Sequence, residues 1–163
     1  MTSGSLDPAT VERLLRKLPE WFGIESAISD YVEAARQLPA YLAWPDRAPT
    51  TGLAAGVLLA KRHFPSSAEI YLMAVDPAVH RQGVGRALIS ALEADLAADD
   101  VQYLQVKTLG PSHPDAGYAR TRLFYASAGF QPIEEITGLW PGNPCLIMIK
   151  ILVTEGNGSR YAK

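Results

Sequence analysis

One stretch limits the folds open to this chain more than any other. Glu69-Ile70-Tyr71-Leu72-Met73-Ala74-Val75 is a nearly continuous apolar run, which suits a strand in the middle of a sheet. It stops at Asp76-Pro77. A short loop then leads to Gly83-Val84-Gly85, which opens a helix reaching about Ala98. Ala87, Leu88, Ala91, Leu92 and Leu96 form the buried stripe of that helix. A buried strand feeding a glycine-rich helix start calls for a layered α/β arrangement.

The flanks fill in the layers. Val11, Leu14, Leu15 and Leu18 recur at helical spacing after Asp7-Pro8, a cap followed by a proline in the first turn. Trp21-Phe22-Gly23 makes an apolar turn, and 26–37 reads as a second helix with Ala27, Tyr31 and Ala34 on one side. The period then changes. Strands are predicted at 40–44, 51–61 and 69–75, with turns at 45–49 and 63–67, so this part reads as an antiparallel meander. Further strands are predicted at 103–108, 130–137 and 146–153, with a short helix at 119–127 and an exposed loop at Trp140-Pro141-Gly142-Asn143-Pro144. One domain is expected over 1–153, followed by a flexible polar tail at 154–163.

The helix start at Gly83 is also the sharpest chemical signal. The first turn of a helix carries unpaired N–H groups and the positive end of its dipole. In His80-Arg81-Gln82-Gly83-Val84-Gly85-Arg86, glycines would let a phosphate approach the backbone, and Arg81 and Arg86 add charge. The pattern suits a pyrophosphate. It lacks the Gly-Lys-Ser/Thr of a triphosphate loop and the third glycine of a dinucleotide fingerprint. The same two glycines would also serve tight packing of helix on sheet.

Three pieces in this order resemble the GCN5-related N-acetyltransferases (GNAT family). They are Ala68 to Val75, Pro77 to Gly85, and Leu123-Phe124-Tyr125-Ala126-Ser127-Ala128-Gly129-Phe130. The resemblance runs from about Ala54 to the last strand. It implies a mixed, mostly antiparallel central sheet flanked by helices and splayed between its fourth and fifth strands, here 69–75 and 103–108. It also implies acetyl-CoA as cosubstrate. The pantetheine arm would lie in the splay against Met73, Ala74 and Val75, and the pyrophosphate on His80, Arg81, Gln82, Gly83, Val84, Gly85 and Arg86. His80 stands where the family usually has Gln or Arg, and Tyr118 where it often has Asn.

Within that resemblance, Tyr125 is the expected general acid for the leaving thiolate, since a phenol can supply a proton as the thiolate forms. Glu69 is the expected base, acting through water, with a pKa raised by an apolar cleft. Trp21, Phe22, Tyr71, His113 and Trp140 are the expected acceptor-side residues, with Asp115 close enough to His113 in sequence to influence it. His63 reads as a turn residue. Cys145 stands alone and reads as a buried structural thiol. No His, Cys, Asp and Glu group has metal-ligand spacing, so no metal is expected.

The acceptor implied is a primary amine, on a small molecule or on a peptide; an acetyl-CoA sensor without catalysis is the alternative of another class. A net charge of −2 gives no reason to expect a nucleic-acid partner. Neither a membrane-spanning run nor a signal peptide is apparent, so a cytoplasmic location is expected. A homodimer through the last strands is also expected.

Overall fold

Among the described residues six strands make one sheet, whose lateral order is not the order of the chain. The structure, a computed structural model, describes residues 8–44 and 53–152. The expectations for Asp7, for the turn at 45–49, for the start of the second strand and for the tail lie outside these residues. The strands are β1 (Ala40–Ala43), β2 (Gly56–Phe64), β3 (Ser67–Val75), β4 (Tyr103–Leu109), β5 (Gln131–Trp140) and β6 (Asn143–Ile151). The helices are α1 (Pro8–Arg16), α2 (Glu25–Ala34), α3 (Val84–Ala98) and α4 (Ala116–Ser127). Strand order is β1-β2-β3-β4-β6-β5. Among these six strands only β3 and β4 run parallel, with α3 as their crossover; the other neighbours are antiparallel.

The two faces of the sheet are covered by different helices. On one side Val11, Leu14 and Leu15 of α1 and Ile28 of α2 pack on Val57, Leu59, Leu72 and Ala74. On the other, Leu88, Ile89 and Leu92 of α3 and Tyr125 of α4 pack on Leu58, Ile70, Leu104 and Met148. Each fully buried Leu or Val contributes about 1.5–3 kcal/mol relative to exposure, before the entropy of ordering it.

β3 carries an extra residue at the point that matters most. Its register with β2 runs Ile70↔Ala60 and then Leu72↔Leu59, so Tyr71 has no partner. This is a β-bulge, which bends the strand and increases its twist. Because side chains alternate with period two, one extra residue exchanges the faces. Ala68 and Ile70 face α3, as do Met73 and Val75 beyond the bulge. Tyr71, Leu72 and Ala74 face α1 and α2.

The parallel pairing with β4 ends at the same place. It comprises four pairs, from Ser67↔Tyr103 to Ile70↔Val106. Past them β4 pairs with β6 alone, through Lys107↔Ile147, Thr108↔Leu146 and Leu109↔Cys145. The sheet therefore splays after Ile70, as the resemblance implies. Numbered along this chain the flanking strands are the third and fourth, since no strand among the described residues precedes α1.

Two boundaries differ from expectation for local reasons. The exposed loop at 140–144 is instead the tip of a hairpin. Trp140 pairs with Asn143 across a two-residue turn whose Gly142 has φ 73°. α4 begins three residues early because the Asp115 carboxylate caps it, accepting from the Tyr118 N–H at 2.8 Å.

Candidate active site

Among the described residues, the splay leaves one edge of β3, from Tyr71 to Val75, without a strand beside it, while its other edge pairs with β2. Backbone groups on that edge are an extended template for a strand-like ligand. One of them is engaged within the protein. The Val75 carbonyl accepts a bond from His80 Nε2 at 2.8 Å, so His80 bonds the strand that the resemblance assigns to pantetheine.

The loop from β3 to α3 is built from backbone. Asp76 accepts from the Ala78 N–H and pairs with Lys17 of the α1–α2 connection, which holds its carboxyl below the usual carboxylate range. Arg81 at φ 63° and Gly83 at φ 84° both have left-handed backbone, a turn chemistry that gathers successive amides into a concave nest. Gly83 is the N-cap of α3. Its carbonyl accepts the first helical bond, from Ala87 N at 2.9 Å, and it has no side chain to cap the amides of Val84, Gly85 and Arg86. Those N–H groups have no helical acceptor. Gln82 bonds back to the Ala78 carbonyl and Arg86 to Ser127 Oγ, so the cradle is chiefly main chain. Gly85 has a separate reason. A Cβ there would stand 3.1 Å from the Phe124 ring, so its absence lets α3 approach α4.

Tyr125 enters from the α4 side. It is 5% exposed and packed edge-on against Phe124 and Phe130. Burial pushes its phenol up, and the neighbouring phenols of Tyr31 and Tyr118 push it further. Tyr31 belongs to α2, on the opposite face of the sheet. Its own phenol is pushed up to about 12, by burial first and then by Tyr118, Tyr71 and Glu69. Of these groups, Tyr31 and Tyr71 are in direct ring contact, at 5.6 Å.

Glu69 is 4% exposed, one residue before the last β3–β4 pair. Lys107 Nζ bonds both its oxygens, at 2.9 and 3.0 Å; His63 Nε2 lies 2.5 Å and Gln105 Nε2 3.2 Å from Oε2. This corrects the expectation of a raised pKa. Burial does push the carboxyl up, but the bonds from Lys107 and His63 outweigh it and hold the group below its ordinary value. His63 is likewise a partner of Glu69 and not a simple turn residue.

A stability consequence follows. A carboxylate with a depressed folded pKa contributes stability that is present above its unfolded pKa and lost as pH falls through the folded one. Glu69→Gln should therefore flatten the acid side of the stability–pH curve, below the ordinary carboxylate range. It should also cost about 1–3 kcal/mol at neutral pH by leaving Lys107 without its partner. Urea unfolding at several pH values measures both; an acid limb as steep as wild type would refute the assignment.

The expected acceptor-side residues separate into two groups. Trp21, Phe22 and Tyr71 come together. Phe22 stands edge-on to Tyr31 at 5.8 Å, and Tyr31 to Tyr71 at 5.6 Å. Trp21 donates from Nε1 to Thr121 Oγ1, its carbonyl accepts from the Tyr118 hydroxyl, and its ring lies 6.4 Å from that of His80. The α1–α2 connection, α4 and the glycine loop thus meet at Trp21. No bond or ring contact among the described residues joins His113 or Trp140 to this group. Asp115 is occupied in capping α4, so its expected influence on His113 gives way to a helix cap; the His113 loop is tied to β5 through Ser112 and Glu135. Cys145 is fully buried and burial raises its thiol, which agrees with a structural role.

Tyr31, Lys107 and His63 were missed as site residues. For His63 no signal existed: regular pairing about the 65–66 turn would set it opposite Ala68, and only the irregularity between Arg62 and Phe64 brings it to Glu69. For Lys107 and Tyr31 nothing local in the sequence points to the splay.

A mixed sheet opened beside a bulge, with an uncapped glycine helix start at its mouth, defines an acyl-CoA N-acyltransferase fold. The sequence profile of the GNAT acetyltransferase domain matches residues 41–132, more than half of the chain, and the protein belongs to this family. Solved structures agree in fold. A GNAT-family protein from Desulfovibrio desulfuricans superposes with TM-score 0.78 at 20% identity, covering 93% of this chain and 98% of its own. The ribosomal-protein-S18-alanine N-acetyltransferase of Escherichia coli gives 0.68 at 19%, covering 98% and 99%. An aminoglycoside 6'-N-acetyltransferase complexed with coenzyme A gives 0.67 at 16%, covering 94% and 98%. No curated protein matches the chain in sequence.

Proposed function

We propose that this protein transfers the acetyl group of acetyl-CoA to a primary amine of a small molecule, by direct attack in a ternary complex. The observation that carries the proposal is the splay. It offers a β3 edge at Met73, Ala74 and Val75, with the Val75 carbonyl held by His80, leading to the uncapped amides of Val84, Gly85 and Arg86; Tyr125 packs on the α3 face of the sheet, and Glu69 stands at the end of the β3–β4 pairing. Acetyl-CoA would be held by those backbone groups and supplies the activated acyl group.

The chain's own residues then have three tasks. Glu69 takes a proton from the acceptor ammonium, leaving a neutral amine. The aromatic side chains of Trp21, Phe22, Tyr31 and Tyr71 orient the amine and exclude water, which supplies much of the advantage of an intramolecular reaction. Tyr125 gives a hydrogen bond, and finally a proton, to the departing sulfur. An acceptor held against Trp21, Phe22, Tyr31 and Tyr71 would meet packed aromatic rings, which suits a small amine better than a long peptide. This reading takes the chain as one domain in the cytoplasm, with no metal. A homodimer would use β5 and β6, where Ile133, Leu139 and Ile151 are exposed.

The test is thiol release from acetyl-CoA across a panel of aromatic and aliphatic amines, aminoglycosides and peptides with N-terminal alanine, with calorimetric binding of acetyl-CoA in parallel. Release with a small amine is expected. Release only with peptides would move the assignment to protein acetylation. Binding without release from any acceptor would favour a sensor, and no binding would end the proposal.

A further inference from the structure

We propose that His63 is the outlet for the proton that Glu69 takes from the acceptor, so that the two side chains form a relay from the buried cleft to water. The inference rests on the reading of Glu69 as the base and adds the residue that base requires.

The geometry has three parts. Glu69 is buried, with 6% of its side chain exposed, and cannot discharge a proton to bulk solvent directly. His63 Nε2 lies 2.5 Å from Glu69 Oε2, and 29% of its side chain is exposed. The β2–β3 register shifts between Arg62 and Phe64, so His63 has no cross-strand partner and is an irregularity within the hairpin. The hairpin turn lies on the side of Glu69 away from the splay, which opens after Ile70. A proton moving from Glu69 to His63 therefore leaves the cleft at its closed end, away from the coenzyme side.

The other groups around the carboxylate do not serve. Lys61 is opposite Glu69 in the register, with its ammonium over the Tyr71 ring. Lys107 is a donor with no acceptor atom, and Gln105 does not titrate. Burial pushes the Tyr31 phenol and the Cys145 thiol up, so both hold their protons. Tyr71, from the same strand, packs on Tyr31. Among these, only His63 touches the carboxylate, has a ring nitrogen able to accept a proton and reaches solvent. A carboxylate held ionised by Lys107 is a poor store for a proton and must pass it on.

The proton balance closes. One proton leaves the acceptor ammonium for Glu69; with the ring in its Nδ1–H tautomer it passes from Oε2 to His63 Nε2 while Nδ1 gives its proton to water, and the partly exposed ring regains that tautomer by swinging off the carboxylate and exchanging its Nε2 proton with solvent. The neutral amine forms the new C–N bond, the C–S bond breaks, Tyr125 gives its proton to the thiolate, and the second proton of the nitrogen restores the Tyr125 hydroxyl. The net release is one proton per acetyl group transferred.

The decisive variant is His63→Gln, which keeps a donor toward Glu69 but cannot carry a proton. With an amine found active in the thiol-release assay, kcat and KM are measured against pH, with and without added imidazole. The expected result is a fall in kcat of about 10–100-fold at neutral pH, KM for both substrates unchanged, the acid limb of the profile lost, and partial rescue by imidazole. A profile of wild-type shape would overturn the relay. So would a loss of activity that imidazole does not restore and that comes with a raised KM, the mark of a structural role alone. If glutamine unfolds the hairpin, as thermal melting would show, His63→Asn is judged by the same profile. A wild-type protein that acetylates no amine overturns the underlying reading, and the relay with it.

Discussion

Replacing Tyr125 with phenylalanine is expected to lower kcat by about 10–100-fold, toward the lower end of what a general acid supplies, while the affinity for acetyl-CoA stays within about twofold. The lower end is chosen because burial and two neighbouring phenols push this hydroxyl up. In the resting enzyme it holds its proton at every working pH, so it meets the sulfur as a donor. It is also a weaker acid than an exposed tyrosine, so most of its benefit is a hydrogen bond to sulfur that strengthens as charge develops. The change removes one oxygen and no packing, since Phe124 and Phe130 lie 5.3 and 5.5 Å from the ring centroid and a phenylalanine would meet them equally. Stability should move by no more than about 1 kcal/mol. Steady-state kinetics with calorimetric binding separates the two effects. Turnover equal to wild type across the pH range would remove Tyr125 from the mechanism.

Gly83→Val should act on the other quantity. Nothing lies within 4 Å of a Cβ at this position, so the substitution causes no clash. The cost lies in the backbone, because φ +84° is strained for a β-branched residue by roughly 1–2 kcal/mol. The loop relieves that strain by turning its amides away from their common focus. Acetyl-CoA affinity should fall by at least about tenfold, the equivalent of 1.4 kcal/mol, and kcat at saturating coenzyme should change little. Gly85→Ala is the instructive contrast. Its methyl group would press on the Phe124 ring, so it should lower the melting temperature more than the affinity. Unchanged coenzyme binding in Gly83→Val would mean that the glycines serve helix packing alone.

Much of this was readable in the sequence, and the boundary of what was not has a physical basis. The apolar run at 69–75, the glycines at 83 and 85 and the aromatic end of α4 are local patterns, and local patterns report strands, helix starts and helices. The antiparallel meander before the glycine loop was legible in the same way. Tyr71 shows the limit. One extra residue in a strand leaves composition and apparent period almost untouched, yet it sets where β3 bends. The charge state of Glu69 was misjudged for a similar reason. Its neighbours in sequence are apolar and predict a raised pKa; its neighbours in space are Lys107 and His63, which lower it. Closeness in sequence suggests that Asp115 could influence His113, whereas its carboxylate caps α4. Trp140 was assigned to a loop because Pro141-Gly142 punctuates the chain, although two residues suffice to turn a hairpin.

The bulge at Tyr71 also bears on how such a protein can change. Loss of that single residue would leave Ile70 and Leu72 adjacent, with regular alternation on both sides. β3 could then lie flat against β4 along its length, gaining backbone bonds and closing the cleft. The more regular sheet would be the one with nowhere to hold its ligand. A one-residue deletion here is thus a step that selection for folding would reward and selection for catalysis would remove, whereas point substitutions at Tyr71 keep the count and leave the opening intact. Variation should accumulate in the kind of residue at this position long before it touches their number.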